Sequence, residues 1–469
     1  MEKMQKPKLP TALFAGVLLW LGAIAQAADK PNIILFFVDD LGWADLGHRN
    51  PAFESPNIDQ LAQDGTTFQQ AYVACPTCSP SRGTLLTGQH PARLQLVRHI
   101  YDGDPAAGFD ATGKATGEFA YLKTDPAHMP SRNWLPLAVT TYAEALKPLG
   151  YYSVFVGKWH LGTEEYFPIH QGFDRQIGTT PFGHPKSYYP PYFGKFKGGG
   201  DTNGTYLTDH LTDEAVGFIE RYDKRQPFMM SFYYYAVHGP HIGREDLVRH
   251  FKAKGLSDRH AEYAAMVKAV DESVGRVRAV LEKRGLADNT IILFLSDQGG
   301  FFENKPFRGG KMSDTLCEGG ARVPFIFHWP GVTKAGAAND SIVQSTDLFP
   351  TLVEIAGGDP AKYPDLDGVS LFSILKNSDT LNRGEPIFGY RAYEDLYASV
   401  REDDWKLLAY RSGRLELYNL ADDIGEAHDL AKSNPAKVAG LRDKLTDWEK
   451  KMGVQKYSSL QSNPSGKLD

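Results

Sequence analysis

The chain is predicted to fold as a large α/β sandwich followed by a smaller α+β domain. Three observations predict this. Four near-continuous apolar runs each break abruptly into polar residues, as buried parallel strands do. Amphipathic helical stretches separate those runs. After about residue 380 the pattern changes to short strands joined by turns and closed by one helix. The expected organisation is a leader over 1–27, a main domain over 28–380 and a smaller antiparallel-sheet domain over 381–469.

The leader comes first. Lys3, Lys6 and Lys8 precede the apolar run Leu13 to Ala25, which ends in Ala25-Gln26-Ala27. A charged start, a short apolar centre and an A-x-A end are the marks of a cleaved secretory signal. The run is too short to span a bilayer comfortably, and no later stretch reads as a membrane helix. No Cys follows it, which argues against a lipid anchor. An exported protein, periplasmic or secreted and without a stable membrane anchor, is expected.

The strand-like runs follow. Asn32 to Val38 leads into Asp39-Asp40. Tyr152 to Val156 leads into Gly157-Lys158-Trp159-His160. Phe228 to Ala236 leads into Val237-His238-Gly239-Pro240-His241. Thr290 to Leu295 leads into Ser296-Asp297-Gln298-Gly299. Helices are predicted from Ile58 to Leu61, from Thr140 to Leu149, and from His260 to Arg284, the last ending at the stop signal Gly285. Residues 100–135 and 181–204 read as insertions, the second rich in Pro, Gly and Tyr. Long loops inside a compact domain are often binding loops. Tyr397 to Val400, Trp405 to Tyr410 and Arg414 to Leu420 are the C-terminal strands, Ala436 to Met452 is the final helix, and Ser458 to Asp469 reads as a loose polar tail.

Composition narrows the function. The 469 residues are 42% hydrophobic and 23% charged, which suits a globular protein, and the net charge is −6. Loss of the leader makes the mature chain two charges more negative. Such a chain has no overall basic field with which to hold nucleic acid. Three cysteines cannot supply a disulfide framework. Cys75 and Cys317 are read as two small buried residues, with their pairing left open.

The polar clusters carry the chemistry, because open α/β sheets place their sites at the carboxyl ends of strands. Asp39, Asp40, Asp297 and Gln298 would meet there. Three carboxylates together need a cation, and all-oxygen donors suit Ca2+ or Mg2+ rather than Zn2+ or copper. Taken alone, Asp39-Asp40 reads as cap and turn residues, but two such pairs ending similar strands favour the cation site. Lys158 with His160, His238 with His241, and Lys311 form a second group. Cations beside a metal site suit an anionic tetrahedral group such as phosphate or sulfate. In Cys78-Ser79-Pro80-Ser81-Arg82, Ser79 suits an N-cap and Pro80 a first turn. That places Cys78 where a helix dipole lowers a thiol's pKa and Arg82 one turn further on. A buried, inert Cys is the plainer alternative. His184, Tyr188, Tyr189 and Tyr192 on the insertion, with Arg391 and Tyr393 on the smaller domain, could line a sugar pocket or simply pack the loops.

Cys78-Ser79-Pro80-Ser81-Arg82 resembles the Cys-x-Pro-x-Arg signature of the type I, formylglycine-dependent sulfatases. Asp39-Asp40, Gly157-Lys158-Trp159-His160-Leu161-Gly162, His238-Gly239-Pro240, Ser296-Asp297-Gln298-Gly299, and Gly309-Gly310-Lys311 with Glu318 to Pro324 resemble that family's other blocks in order. The resemblance runs from about residue 30 to 430. It implies an alkaline-phosphatase-like α/β/α sandwich and hydrolysis of sulfate esters, in the manner of bacterial enzymes acting on sulfated polysaccharide or oligosaccharide. It implies that a maturation enzyme oxidises Cys78 to formylglycine (3-oxoalanine), hydrated to a gem-diol. It also implies one Ca2+ per chain, or less readily Mg2+, held by Asp39, Asp40, Asp297, Gln298 and residue 78. By the same resemblance Lys158 and Lys311 hold sulfate oxygens, Arg82 orients the diol, His238 protonates the leaving alcohol, and His160 helps eliminate sulfate. His241, His184 and Arg391 are substrate-binding candidates. Gln298 departs from the Asn found in many members. Two alternatives remain: a phosphatase or phosphodiesterase of the same superfamily, and a non-catalytic binder of sulfated glycans with an unmodified Cys78.

Overall fold

The computed structural model describes residues 30–100, 117–120, 129–194, 204–377 and 379–454. Its elements run β1 (Asn32–Val38), α1 (Pro56–Asp64), β2 (Thr66–Tyr72), α2 (Cys78–Thr87), α3 (Pro91–Leu94), β3 (Phe119–Ala120), β4 (Ser131–Arg132), α4 (Tyr142–Leu146), β5 (Tyr152–Gly157) and β6 (Arg175–Ile177). Then come α5 (Leu207–Arg221), β7 (Phe228–Tyr233), α6 (Glu245–Ala253), α7 (Asp258–Lys283), β8 (Thr290–Ser296), α8 (Glu318–Ala321), β9 (Phe325–His328), β10 (Ala337–Gln344), α9 (Leu348–Ile355) and α10 (Phe372–Asn377). The C-terminal part is β11 (Ile387–Tyr390), β12 (Leu396–Glu402), β13 (Trp405–Tyr410), β14 (Leu415–Asn419) and α11 (Pro435–Met452).

The α/β architecture is as the sequence predicts. One eight-stranded sheet has the order β10-β2-β9-β8-β1-β7-β5-β6, and β11 to β14 form a separate antiparallel sheet. β1 lies centrally, parallel to β7 and β8, and every one of its residues is buried. Alternate side chains of a strand point to opposite faces, so β1 feeds two cores. Ile34, Phe36 and Val38 pack with Leu211 and Phe218 of α5 and Val267 and Val274 of α7. Ile33, Leu35 and Phe37 pack with Leu85 of α2, Tyr142 of α4 and Leu352 of α9. A strand apolar on both faces is therefore the middle of three layers. The smaller sheet buries Val400, Leu407 and Ala409 against Leu441, Leu445 and Trp448 of α11. From Pro31 onward the chain clusters as one unit.

Several boundaries differ from the sequence reading. The sheet has four strands beyond those predicted: β2, β6, β9 and β10. β2 (TTFQQAY) and β10 (AANDSIVQ) are too polar to give a buried-strand signal, and β9 and β6 are short. β9 runs antiparallel to both β2 and β8. The run from Phe228 leaves the sheet after Tyr233, where Tyr234 to Val237 begin to turn. The predicted helix over 140–149 begins at Tyr142, capped by Thr141 with Glu144 in a reciprocal capping box, and Pro148 tightens its last turn into a 3-10 helix. α2 starts at Cys78, so its N-cap is Thr77 and not Ser79. The Ser79 hydroxyl instead accepts a hydrogen bond from the Ile100 N–H. All three cysteines are free and buried. The predicted leader, most of the 100–135 insertion, residues 195–203 of the second insertion and the tail beyond Val454 lie outside the described residues. Among the described residues no helix is long and apolar enough to cross a membrane.

Candidate active site

Strand register brings the polar tips level. Val38 of β1 stands opposite Ser296 of β8, Phe37 opposite Tyr233 of β7, and Tyr233 opposite Gly157 of β5. The residues that follow, Asp39-Asp40, Asp297-Gln298 and Lys158, therefore leave the sheet at one edge. The backbone ties the tips together: Asp297 N–H donates to Val38 O at 3.1 Å, Asp39 N–H to Ala236 O at 3.0 Å, and Lys158 N–H to Tyr233 O at 2.8 Å. Gly157 (φ +94°) is required here, because a Cβ would sit 2.1 Å from Tyr233 O. Asp40 (φ +61°) and His160 (φ +56°) occupy the left-handed region without being glycine. Backbone strain of that kind persists only where the surroundings over-determine it, and it gathers at functional sites.

Three fully buried carboxylates meet three cations. Asp39 is bonded by the Lys158 ammonium and Asp40 by the Lys311 ammonium. The Arg82 guanidinium reaches Asp297 Oδ2 at 3.1 Å and Asp39 Oδ1 at 3.5 Å. The oxygens of Asp39, Asp40 and Asp297 lie within 4.8 Å of one another. Burial pushes the Asp39 carboxyl upward, but the charges of Lys158, His238 and Arg82 outweigh it and hold the group well below the usual range. Asp297 goes the other way: burial and the Asp39 charge raise it well above the usual range, despite Arg82.

Cys78 sits at the first turn of α2 with its Sγ 3.6 Å from Asp39 Oδ1. The Gln298 amide donates to this sulfur at 3.3 Å and to Asp40 Oδ1 at 2.7 Å. The lowered thiol pKa expected at a helix N-terminus does not occur. Burial raises it, and the Asp39 and Asp40 charges add to burial, against Lys158 and Lys311. A helix dipole worth about 1 kcal/mol does not overcome two nearby carboxylates and loss of solvent.

A cavity of about 940 Å³ opens over Cys78. Cys78, Gln298, Lys311, His160 and His238 line its base, and His184 and Arg391 stand on its walls. His238 points Nε2 toward Asp40 Oδ2 at 3.8 Å while its Nδ1 donates to Gly239 O at 2.7 Å. Burial lowers its pKa, opposed by Asp40 and Asp39. His160 bonds Ile100 O through Nε2 at 2.8 Å, and burial with Lys158 holds it well below the usual range. Lys158 and Arg82 are fully buried behind the carboxylates, and neither lines the cavity. The Arg82 guanidinium spans Asp297 and the Lys158 carbonyl and shares Asp39 Oδ1 with the thiol. His241 is also absent from the lining, packed edge-on against Phe301 and Tyr263. Tyr188 and Tyr192 are buried and absent from the lining. His99, Lys186, Glu394, Phe182, Phe193 and Met312 line the cavity without having been singled out. They are scattered loop residues with no spacing to mark them.

The donor set fits a hard divalent cation. It consists of carboxylate and amide groups, and the raised Asp297 leaves a carboxyl that an added positive charge would keep ionised. Beside it, Cys78 supplies a reactive atom, Lys311 a cation and His238 an acid, which together suit displacement at an anionic centre.

The sulfatase family profile matches residues 31–358, and a profile described as N-sulphoglucosamine sulphohydrolase, C-terminal, matches residues 314–451. A protein named sulfatase from Formosa agariphila is 31% identical, covering 96% of this chain and 94% of its own. N-acetylgalactosamine-6-sulfatase of Mus musculus is 33% identical over 80% of this chain and 72% of its own. The crystal structure of Ps i-CgsB in complex with k-i-k-neocarrahexaose superposes with a TM-score of 0.78 at 31% identity, covering 93% of this chain and 96% of that one.

Proposed function

The chain belongs to the sulfatase family and hydrolyses sulfate esters, and from that premise we propose that it removes sulfate from a carbohydrate, using residue 78 as nucleophile beside a divalent cation. The observation that carries the reading is the meeting of Asp39, Asp40 and Asp297 with Cys78, Lys311 and His238 beneath one cavity. The carbohydrate assignment is supported by the N-acetylgalactosamine-6-sulfatase relative and by the neocarrahexaose complex of the structural neighbour. A cavity of about 940 Å³ is also far larger than a sulfate group needs.

Oxidised to formylglycine by a maturation enzyme, residue 78 would present a hydrated aldehyde, one hydroxyl to attack sulfur and the other to help release the product. Asp39, Asp40, Asp297 and Gln298, with residue 78, would hold the cation, which would neutralise charge on a sulfate oxygen; Ca2+ suits these oxygen donors, with Mg2+ second. Lys311 faces the cavity and is placed to bind a sulfate oxygen. Lys158 holds Asp39 ionised and supplies positive potential from behind. His238, protonated on both ring nitrogens, gives its Nε2 proton to the departing sugar oxygen, since an alkoxide leaves poorly unless protonated, and keeps the Nδ1 proton held by Gly239 O. His160 takes up the proton of the second hydroxyl. Arg82 fixes Asp297 and the nucleophile helix in register. Residues 28–380 carry this reaction, and 381–469 add the wall bearing Arg391. The leader pattern of residues 1–27 supports an exported enzyme, periplasmic or secreted.

Sulfate release from defined sulfated oligosaccharides by matured, Ca2+-loaded protein tests the reading. The expected result is chelator-sensitive release, with a Cys78 peptide whose mass reflects loss of hydrogen sulfide and gain of one oxygen atom. Active enzyme carrying only an alkylatable thiol would overturn the nucleophile. Faster turnover of aryl phosphate than of aryl sulfate would favour a phosphatase.

A further inference from the structure

One loop grips both histidines at the cavity base. Its Gly183 lies so close to His160 that a Cβ there would stand 2.4 Å from the imidazole Cε1 and 2.6 Å from Nε2. Its neighbour His184 lies parallel to His238, with ring centroids 5.3 Å apart and planes 4° from parallel. Further along, the fully buried Tyr188 shares its single hydroxyl proton between His238 O at 2.8 Å and Tyr235 O at 2.7 Å. The loop itself is anchored. Phe182 and Phe193 stack with each other, and Phe193 packs against Tyr235.

Both stacked rings have a defined tautomer. His184 Nδ1 lies 3.0 Å from Pro185 O, and His238 Nδ1 lies 2.7 Å from Gly239 O. A carbonyl oxygen only accepts, so Nδ1 carries a proton in each ring, and the His238 Nε2 turned toward Asp40 is the nitrogen that takes on and gives up the catalytic proton. One hydrogen bond fixes an edge of the His238 ring but leaves it free to tilt about that bond. A parallel neighbour removes that freedom, because displaced stacking fixes the plane.

We infer that His184 is a positioning residue: its ring holds the plane of His238 so that Nε2 stays directed at the leaving oxygen of the ester, while Tyr188 holds the same residue's backbone. The inference rests on the proposed role of His238. It explains why an exposed histidine on an insertion is stacked flat against a half-buried one. It also makes the loop, rather than the sheet, the part of the chain that aims the acid.

The test uses the leaving group as its reporter. Matured wild-type enzyme, His184→Ala and His184→Phe are compared by kcat and KM on 4-nitrophenyl sulfate and 4-methoxyphenyl sulfate. Protonation matters little for the first alcohol and much for the second. His184→Ala is expected to lose about tenfold more kcat on the methoxy ester than on the nitro ester, a fraction of the roughly 10²–10⁴ that a placed acid supplies. His184→Phe, which keeps a flat ring, is expected to restore most of that difference. In crystals of His184→Ala the His238 ring is expected to turn or split between orientations. Equal losses on both esters, a Phe variant as impaired as Ala, or an unmoved His238 ring would overturn the positioning role and leave the sulfatase reading standing. Absence of sulfate release by wild-type enzyme from any ester would instead strike the proposed function.

Discussion

Each side chain at the cavity base is tuned by what is buried beside it. Cys78 is held as a thiol by burial and by two carboxylates, so an unmodified chain has no ready thiolate nucleophile at neutral pH. This favours chemistry that replaces the sulfur over chemistry that ionises it. Cys78→Ala is expected to abolish turnover while leaving the melting temperature within a few degrees of wild type; comparable turnover by that variant would contradict the mechanism. Gly183 offers a sharper geometric test. Gly183→Ala forces the His160 ring to move, since the added Cβ meets it at 2.4 Å. A loss of at least tenfold in kcat is expected, on the scale of a misplaced proton carrier. Steady-state kinetics with circular dichroism as the folding control would check it. The two-residue motif Asp39-Asp40 was readable because it ends a strand, and Cys78 because its pentapeptide is distinctive. His99, Lys186 and Glu394 carry no such marks, and only the folded chain brings them to one wall.

Elements hold these residues in place through caps and shared cores. Thr141 caps α4 by accepting from Glu144 N–H, while its own hydroxyl donates to Gln171 O at 2.7 Å. Thr141→Ala is expected to cost about 1–2 kcal/mol by chemical denaturation, the usual loss for an N-cap. Phe36 costs more. It is fully buried between β7 and the helix layer, so Phe36→Ala is expected to cost about 3–5 kcal/mol. The loss would loosen β1, and with it the Asp39-Asp40 tip. Long apolar strands and the 26-residue α7 were legible from their periodicity. The polar strands β2 and β10 were not, because a strand at or near a sheet edge can pair its backbone without an apolar run. The difference between a Ser79 and a Thr77 cap was also beyond local pattern. Both residue types cap well, but here Thr77 stands at the N-cap with its hydroxyl on Pro76 O, and Ser79 is claimed by Ile100.

Across the whole molecule, the two sheets are joined through a buried charge cluster. Glu318 of α8 receives Lys406 of β13 at 2.8 Å, Arg322 at 3.2 Å and the Tyr72 hydroxyl at 2.7 Å, with Arg401 at 3.6 Å. Burial raises the Glu318 carboxyl, but Lys406, Arg401 and Arg322 outweigh it and bring it down to about 2. Its folded value is thus below the roughly 4.3 of an unfolded Glu. The stabilisation is complete above that unfolded value and is lost as pH falls toward 2. Melts from pH 5 to pH 2 are expected to show a steep loss of stability that is shallower in Glu318→Gln, itself weakened by about 3–5 kcal/mol at neutral pH because Lys406 loses a partner. Equal slopes would contradict this assignment. The proposed cation would act on the same global equilibrium: Ca2+ at a hundredfold excess over its Kd is expected to stabilise the chain by about 2.7 kcal/mol, read as a rise in Tm that a chelator reverses.

By itself the sequence determined the candidate side chains for the chemistry and that Asp39, Lys158 and Asp297 follow buried strands, because apolar periodicity and short motifs are local properties of a chain. Only the tertiary structure decided which of them face the cavity. Arg82 and Lys158 retreat behind the carboxylates, and His241 turns into an aromatic cluster, while an exposed histidine from an insertion comes to lie flat on His238. Direction and depth depend on register, packing and the competition among buried charges, and these are settled between segments far apart in the chain.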